Sequence, residues 1–300
     1  MAVYKRAYRP YEGPLTPERW RCLVVPRYAF QEIFESRLLA AFVFLCFVPF
    51  LVAATGIYVA NSDAARALLR MSPRASADVL SPEFFLILLT VQGVLAFFLT
   101  AWVAPLLVAP DLANGALPLY LSRPFTKAEY VLGKTSVLLA LLSSITWLPL
   151  LALFGLQAGL AASGWLSSNL RQAWAIFAGA WIWIATLTLL GLALSAFIRW
   201  RLVASAALVG VFFMGSAFGE MWREVLDNPW GRLASPTYLI SVVWRDLFGL
   251  LSSGTVAREM LDDHSSRDVP VWAAWMALVS ACALCLWLLN RRLQAREVVS

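Results

Sequence analysis

The chain has 300 residues, 61% of them hydrophobic and only 14% charged, with a mean hydropathy of +0.72. Soluble domains carry about 25% charged residues, so this composition excludes an ordinary water-soluble fold and makes the bilayer the expected solvent. The net charge of +6 is no sign of a nucleic-acid partner, and four cysteines, three of them in apolar runs, make no disulfide framework.

The first apolar run begins near Leu38 behind a long polar stretch, so no cleavable signal peptide is expected. Residues 17–37 mix Trp20, Val24, Phe30, Ile33 and Phe34 with Arg19, Arg21, Arg27 and Arg37. A basic amphipathic segment of this kind lies in the plane of the membrane interface. Pro26 is expected to break it into two pieces.

Crossing the hydrocarbon takes about 20 mostly apolar residues. Six runs meet or approach that length: 38–59, 84–108, 137–160, 174–197, 202–219 and 271–289. None contains Asp, Glu, Lys, Arg or His. Trp165, Trp174, Trp200, Trp222 and Trp272 sit at or near their ends, as interfacial aromatics do. Pro49, Pro105 and Pro149 lie inside them, where lipid helices tolerate proline better than soluble ones.

Between the second and third runs, "AEYVLGKT" (128–135) is one residue short of a phosphate-binding loop, with Ala128 in place of the first glycine. A working loop of that type follows a β-strand and leaves its backbone N–H groups free for phosphate. Nothing upstream reads as a strand. "FTKAEY" (125–130) instead reads as a helix start. Thr126 is the N-cap, Glu129 completes a capping box, and Phe125 and Tyr130 form a hydrophobic staple. Gly133, Lys134 and Thr135 then fall on helical turns, with Lys134 at headgroup level, and the chain binds no nucleotide.

The neutral polar residues inside the runs are Thr55, Gln92, Thr100, Ser143, Ser144, Thr146, Gln157, Thr186, Thr188 and Ser195. They suit interhelical hydrogen bonds, with Gln92, Thr100 and Thr146 as candidates for lining a substrate path. "GSAFG" (215–219) permits close helix approach, within the chain or between copies. "SPTYLISVVWRDLFGLLSSG" (235–254) is apolar on both sides of Arg245 and Asp246, and each half is too short to span. It reads as an amphipathic or re-entrant element at the outer interface. The only histidine, His264, lies in "DDHSS" with Asp262, Asp263 and Asp268 nearby, which reads as a solvated loop. Cys282 and Cys285 share one apolar helix face and read as packing residues. No catalytic, metal or cofactor site is expected.

Segments 1–37, 109–136, 198–201 and 290–300 hold 15 basic and 7 acidic residues, whereas 60–83, 161–173 and 220–270 hold 9 and 11. The positive-inside rule therefore places the first set, and both termini, in the cytoplasm of an inner (plasma) membrane. A carrier driven by ions normally needs ionisable groups within its spans. With none there and no nucleotide site, any uphill work must be powered by a partner.

The stretch "APDLANGALPLYLSRPFTKAEYVLGK" (109–134) resembles the intracellular loop of the permease subunits of type-2 ABC exporters. Those loops carry an acidic residue, Gly-Thr-Leu, a Leu-Ser-Arg-Pro step, a basic residue, an aromatic and Gly-Lys. Asp111, Gly115, Leu117, Leu121, Ser122, Arg123, Pro124, Lys127, Tyr130, Gly133 and Lys134 match. Ala116 stands where threonine is usual, beside Pro118. "RWRCLVVPRYAFQEIFESR" (19–37) is similar to the family's elbow helix.

The resemblance implies an all-α integral membrane protein, one permease domain over 1–300. It has six transmembrane helices, an N-terminal amphipathic elbow helix, a cytoplasmic coupling helix between spans 2 and 3, and an outer amphipathic or re-entrant segment between spans 5 and 6. It implies a separate ABC-type ATPase subunit, which carries ATP and Mg, and a second copy of the permease or a close homologue. Membrane lipid surrounds the pair. Leu112, Leu117, Tyr120 and Leu121 would anchor in a groove of the ATPase. Asp111 would pair with a basic group there, and Arg123 with an acidic one. Thr126 and Glu129 would stiffen the joint to span 3. The cargo expected is hydrophobic or amphiphilic. Two alternatives stand: a non-transporting ABC permease that transmits force to an outer-face envelope protein through 220–270, and a stand-alone channel or scaffold.

Overall fold

The computed structural model describes residues 24–68, 81–114, 127–161, 164–198, 200–226, 228–250 and 269–292. The described residues form helices and connecting turns, with no strand among them. Among the described residues, six helical units are long and apolar enough to cross a membrane: Arg37–Asn61, Pro82–Asp111, Glu129–Leu160, Leu170–Phe197, Arg201–Leu226 and Val271–Arg291. They are spans 1 to 6. Six crossings put the start of span 1, the end of span 2, the start of span 3 and the end of span 6 on one face, called here the terminal face; the opposite one is the far face.

The elbow helix, Val24–Glu35, precedes span 1. Its helix runs through Pro26 without a break; residues 17–23 of the expected segment lie outside the described residues. The break comes at Ser36, whose side chain caps the next helix by accepting from Leu39 N at 3.4 Å. The elbow buries Ala29 and Ile33 and packs across the first half of span 3.

Two of the intramembrane prolines do interrupt their spans. Span 1 is Arg37–Leu45 and Val48–Asn61, broken at Cys46 and Phe47 just before Pro49. Span 3 is Lys127–Ile145 and Trp147–Leu160, broken at Thr146 just before Pro149. A proline offers no N–H to the carbonyl four residues back and its ring crowds that carbonyl. Span 2, by contrast, runs unbroken from Pro82 to Ala113 through Pro105 and Pro110.

Spans 2, 3 and 4 bury 61% of their apolar windows, and spans 1, 5 and 6 bury 22%, so the first three form the centre of the bundle. Lipid tails are as apolar as leucine, so association here depends on close packing and interhelical hydrogen bonds. Span 4 supplies both against span 2. Trp183 Nε1 donates to Gly93 O at 2.9 Å, and Gly191 sits where a Cβ would lie 2.9 Å from Ala104 Cβ. At the far face Asn61 Nδ2 donates to Gln157 Oε1 at 2.7 Å and ties span 1 to span 3.

The segment after span 5 is re-entrant. From Asn228 the chain turns back along span 5 as a 3-10 helix, Pro229–Ala234, and then forms a helix, Pro236–Phe248. The turn point lies against Gly215, where an added Cβ would come within 2.6 Å of Ala234 O. Gly215 is about 16 Å below the end of span 5 at Leu226, at 1.5 Å per residue. Ser216 Oγ meets Ser235 Oγ at 3.0 Å and Thr237 Oγ1 at 2.8 Å. The glycines of "GSAFG" are thus used within the chain. The re-entrant helix then climbs between spans 2, 4 and 6, with Trp244 Nε1 donating to Gly179 O at 2.9 Å. It ends at Arg171, near the start of span 4, which donates to the carbonyls of Leu247 at 3.3 Å and Asp246 at 3.2 Å. Arg245 and Asp246 therefore sit at the far-face end of that helix rather than at mid-depth.

Candidate functional site

The sequence points to the connection between spans 2 and 3. Residues 115–126 lie outside the described residues, and with them Gly115, Leu117, Leu121, Ser122, Arg123, Pro124 and Thr126. The backbone of Leu112 is helical. The described helix at the beginning of span 3 is Lys127–Ile145 and includes Glu129; the expected cap at Thr126 is not among the described residues. The structure describes the two stalks from which this connection springs.

Those stalks are joined. Asp111, two residues before the helix of span 2 ends at Ala113, accepts from Lys134 Nζ at 3.0 Å. Its Oδ2 also accepts from Tyr130 Oη at 2.8 Å. Tyr130 and Lys134 are four residues apart on span 3 and so share a helix face. Lys134 Nζ lies 5.7 Å from the centre of the Tyr130 ring, which adds a cation–π contact. The side chains of Lys134 and Asp111 are only 11% and 17% exposed, and Tyr130 is buried.

Lys134 is buried against span 2, and within the chain the Asp111 carboxylate is engaged by Lys134 and Tyr130. Bringing two charges out of water costs several kcal/mol per ion unless geometry and further hydrogen bonds compensate, and here the tyrosine hydroxyl supplies the further bond. The result is a three-residue lock that fixes the end of span 2 against the start of span 3. The i,i+4 spacing of Tyr130 and Lys134 was readable in the sequence; their meeting with Asp111 across the loop was not.

The three polar residues expected along a substrate path are interior. Gln92, Thr100 and Thr146 are 2%, 0% and 1% exposed. Thr100 Oγ1 donates to Ala96 O at 2.7 Å and Thr146 Oγ1 to Leu142 O at 2.7 Å, each within its own span. None of them lines either of two cavities that lie beside the re-entrant helix. One of about 220 Å³ is lined by Thr90, Val94, Trp183, Thr237, Ser241 and Arg245, among others. A second of about 260 Å³ shares Val94, Trp183 and Thr237 and is otherwise walled mainly by Phe97, Phe98, Phe212 and Phe213. The first lies between span 2, Trp183 of span 4 and the re-entrant helix, and the second is an apolar groove between spans 2 and 5. Trp183, Trp244 and Arg171 shape or seal this region and escape a sequence reading, since each acts through a backbone carbonyl far away in the chain.

A family model described as "ABC-2 family transporter protein" matches residues 25–295. The chain belongs to the ABC-2 family. It is a multi-pass membrane permease of ABC transporters, the membrane component rather than the ATPase, and this ABC-2 family role implies an ABC ATPase partner. The match runs from the elbow helix to beyond span 6, so the lock and the re-entrant helix both fall within the ABC-2 family region. No curated protein matches the sequence.

Proposed function

We propose that this permease is the membrane half of an exporter worked from the cytoplasm by a separate ATPase subunit through the 109–134 connection. The observation that carries the reading is the Asp111–Tyr130–Lys134 lock at the base of that connection. A loop rooted in two freely moving helices would absorb a push. One rooted in a buried, charge-paired joint transmits it to spans 2 and 3 as a unit. The terminal face, with the greater count of basic residues, is the cytoplasmic one, and the membrane is the inner (plasma) membrane.

Two copies of the permease with two ATPase subunits make the complex. ATP and Mg bind to the ATPase. Closure of its subunits moves the coupling segment, with Leu112, Leu117 and Leu121 seated in its groove and Arg123 paired to an acidic group. The movement passes through the lock, and the two permease bodies shift apart on the outer side. No bond chemistry takes place in this chain. Spans 1, 5 and 6 leave apolar faces uncovered, suited to lipid and to the second copy. The apolar groove of Phe98, Phe213 and Trp183 favours a hydrophobic or amphiphilic cargo.

The test is a charge-reversal series in the assembled complex. Asp111→Lys and Lys134→Asp each lower ATP-driven activity about tenfold or more, and the double reversal recovers much of it. Equal losses in the single and double variants would count against the lock as the coupling joint.

A further inference from the structure

The two broken spans meet on one side chain. Gln92, in the middle of span 2, is buried at 2% exposure. In the amide orientation that satisfies its surroundings, its nitrogen donates to Ile145 O at 3.0 Å and to Cys46 O at 3.2 Å. Ile145 is four residues before Pro149, so its carbonyl is the one that this proline leaves without a helical N–H. Cys46 lies in the two-residue break between the halves of span 1, just ahead of Pro49.

A glutamine amide carries two N–H donors, enough for both carbonyls. In lipid no water is available to replace them, and freed carbonyls at a proline must be satisfied by a neighbouring group. Local hydroxyls do not take this role. Thr146 is turned back to Leu142 O.

We infer that Gln92 is a positioning residue that ties the proline hinges of spans 1 and 3 to span 2. The half of span 1 below its hinge follows the elbow. The half of span 3 below its hinge carries Tyr130 and Lys134. With both hinges held by one amide, these halves pivot about a common point instead of bending separately. The pivoting rests on the ATP-driven reading above, whereas the clamp itself does not.

The clamp is tested on the full chain in detergent micelles, without ATPase or cargo. Gln92→Met keeps size and removes both donors, and it lowers the unfolding midpoint by about 5 °C or more. Pro149→Ala restores a backbone N–H for Ile145 O. In that background the same Gln92→Met change lowers the midpoint by about half as much, since one of the two carbonyls no longer depends on Gln92. If Gln92→Met alone does not fold, Gln92→Met with Pro149→Ala folds, since Ile145 O then has a helical N–H again. Spin labels at the exposed positions Leu38 and Leu132 give one narrow distance in the parent chain and a broadened distribution in Gln92→Met. An unchanged midpoint, equal losses in both backgrounds, a double variant that does not fold, or an unchanged distribution would each overturn the clamp. Failure of the transport reading shows elsewhere, as ATP hydrolysis by the complex that is indifferent to the lock.

Discussion

Lys134 Nζ lies 3.0 Å from Asp111 Oδ2, so the chain closes on itself at the point where the connection between spans 2 and 3 leaves the bundle. This pair accounts for the lysine of the "GKT" sequence without a nucleotide. The lysine that mimics a phosphate ligand neutralises a carboxylate of its own chain.

Removing one member of the pair strands the other. Asp111→Asn or Lys134→Met is expected to destabilise the fold by about 3–5 kcal/mol, the range for breaking a buried pair. Thermal unfolding of the purified chain measures this. A loss under about 0.5 kcal/mol would mean the pair behaves as an ordinary exposed one.

Tyr130→Phe keeps the ring, and with it the cation–π contact, but removes the bond to Asp111 Oδ2. Hydrogen bonds to charged groups contribute about 1.5–3 kcal/mol. The expected outcome is a stability loss in that range that vanishes when Asp111 is already replaced by Asn. A double-mutant cycle reads this coupling directly.

Two glycines of span 5 give a matched pair. A side chain at Gly215 collides with Ala234 O, while one at Gly210 meets nothing within 4 Å. Gly215→Val is expected to push the re-entrant segment off span 5 and to lower stability by about 1–3 kcal/mol. Gly210→Ala is expected to be neutral or slightly stabilising, as alanine favours helix over glycine. Equal effects at the two sites would contradict the placement of 229–236.

Arg171 holds the exposed end of the re-entrant helix through two carbonyls. A cation at a helix C-terminus contributes about 0.3–1 kcal/mol. Arg171→Gln is therefore expected to leave global stability nearly unchanged while amide hydrogens near residues 245–250 exchange several-fold faster. Hydrogen exchange with mass spectrometry reports both.

The six spans are legible in the sequence because lipid demands long runs free of charge, and such runs stand out. Their ends are less so. Span 3 begins at Glu129 rather than 137, and span 5 ends at Leu226 rather than 219. Both extensions carry charges held by partners elsewhere in the fold. Lys134 pairs with Asp111, and Glu220 with Arg223 and the buried Arg232. Hydropathy registers the charges and misses the partners. The same limit explains Gln92, Thr100 and Thr146. A polar residue in an apolar run must find a hydrogen bond, but the run alone does not say whether the partner is cargo or backbone.

The central claim is that an ATPase subunit acts on this permease through the 109–134 connection. Photocrosslinking amino acids placed at Leu117 and at Leu121 in the membrane-embedded protein test it most directly. The account predicts a covalent adduct with an ABC ATPase subunit at one or both positions, weakened when Asp111 is replaced by Lys. Adducts with lipid alone, at both positions and with ATP present, would contradict it.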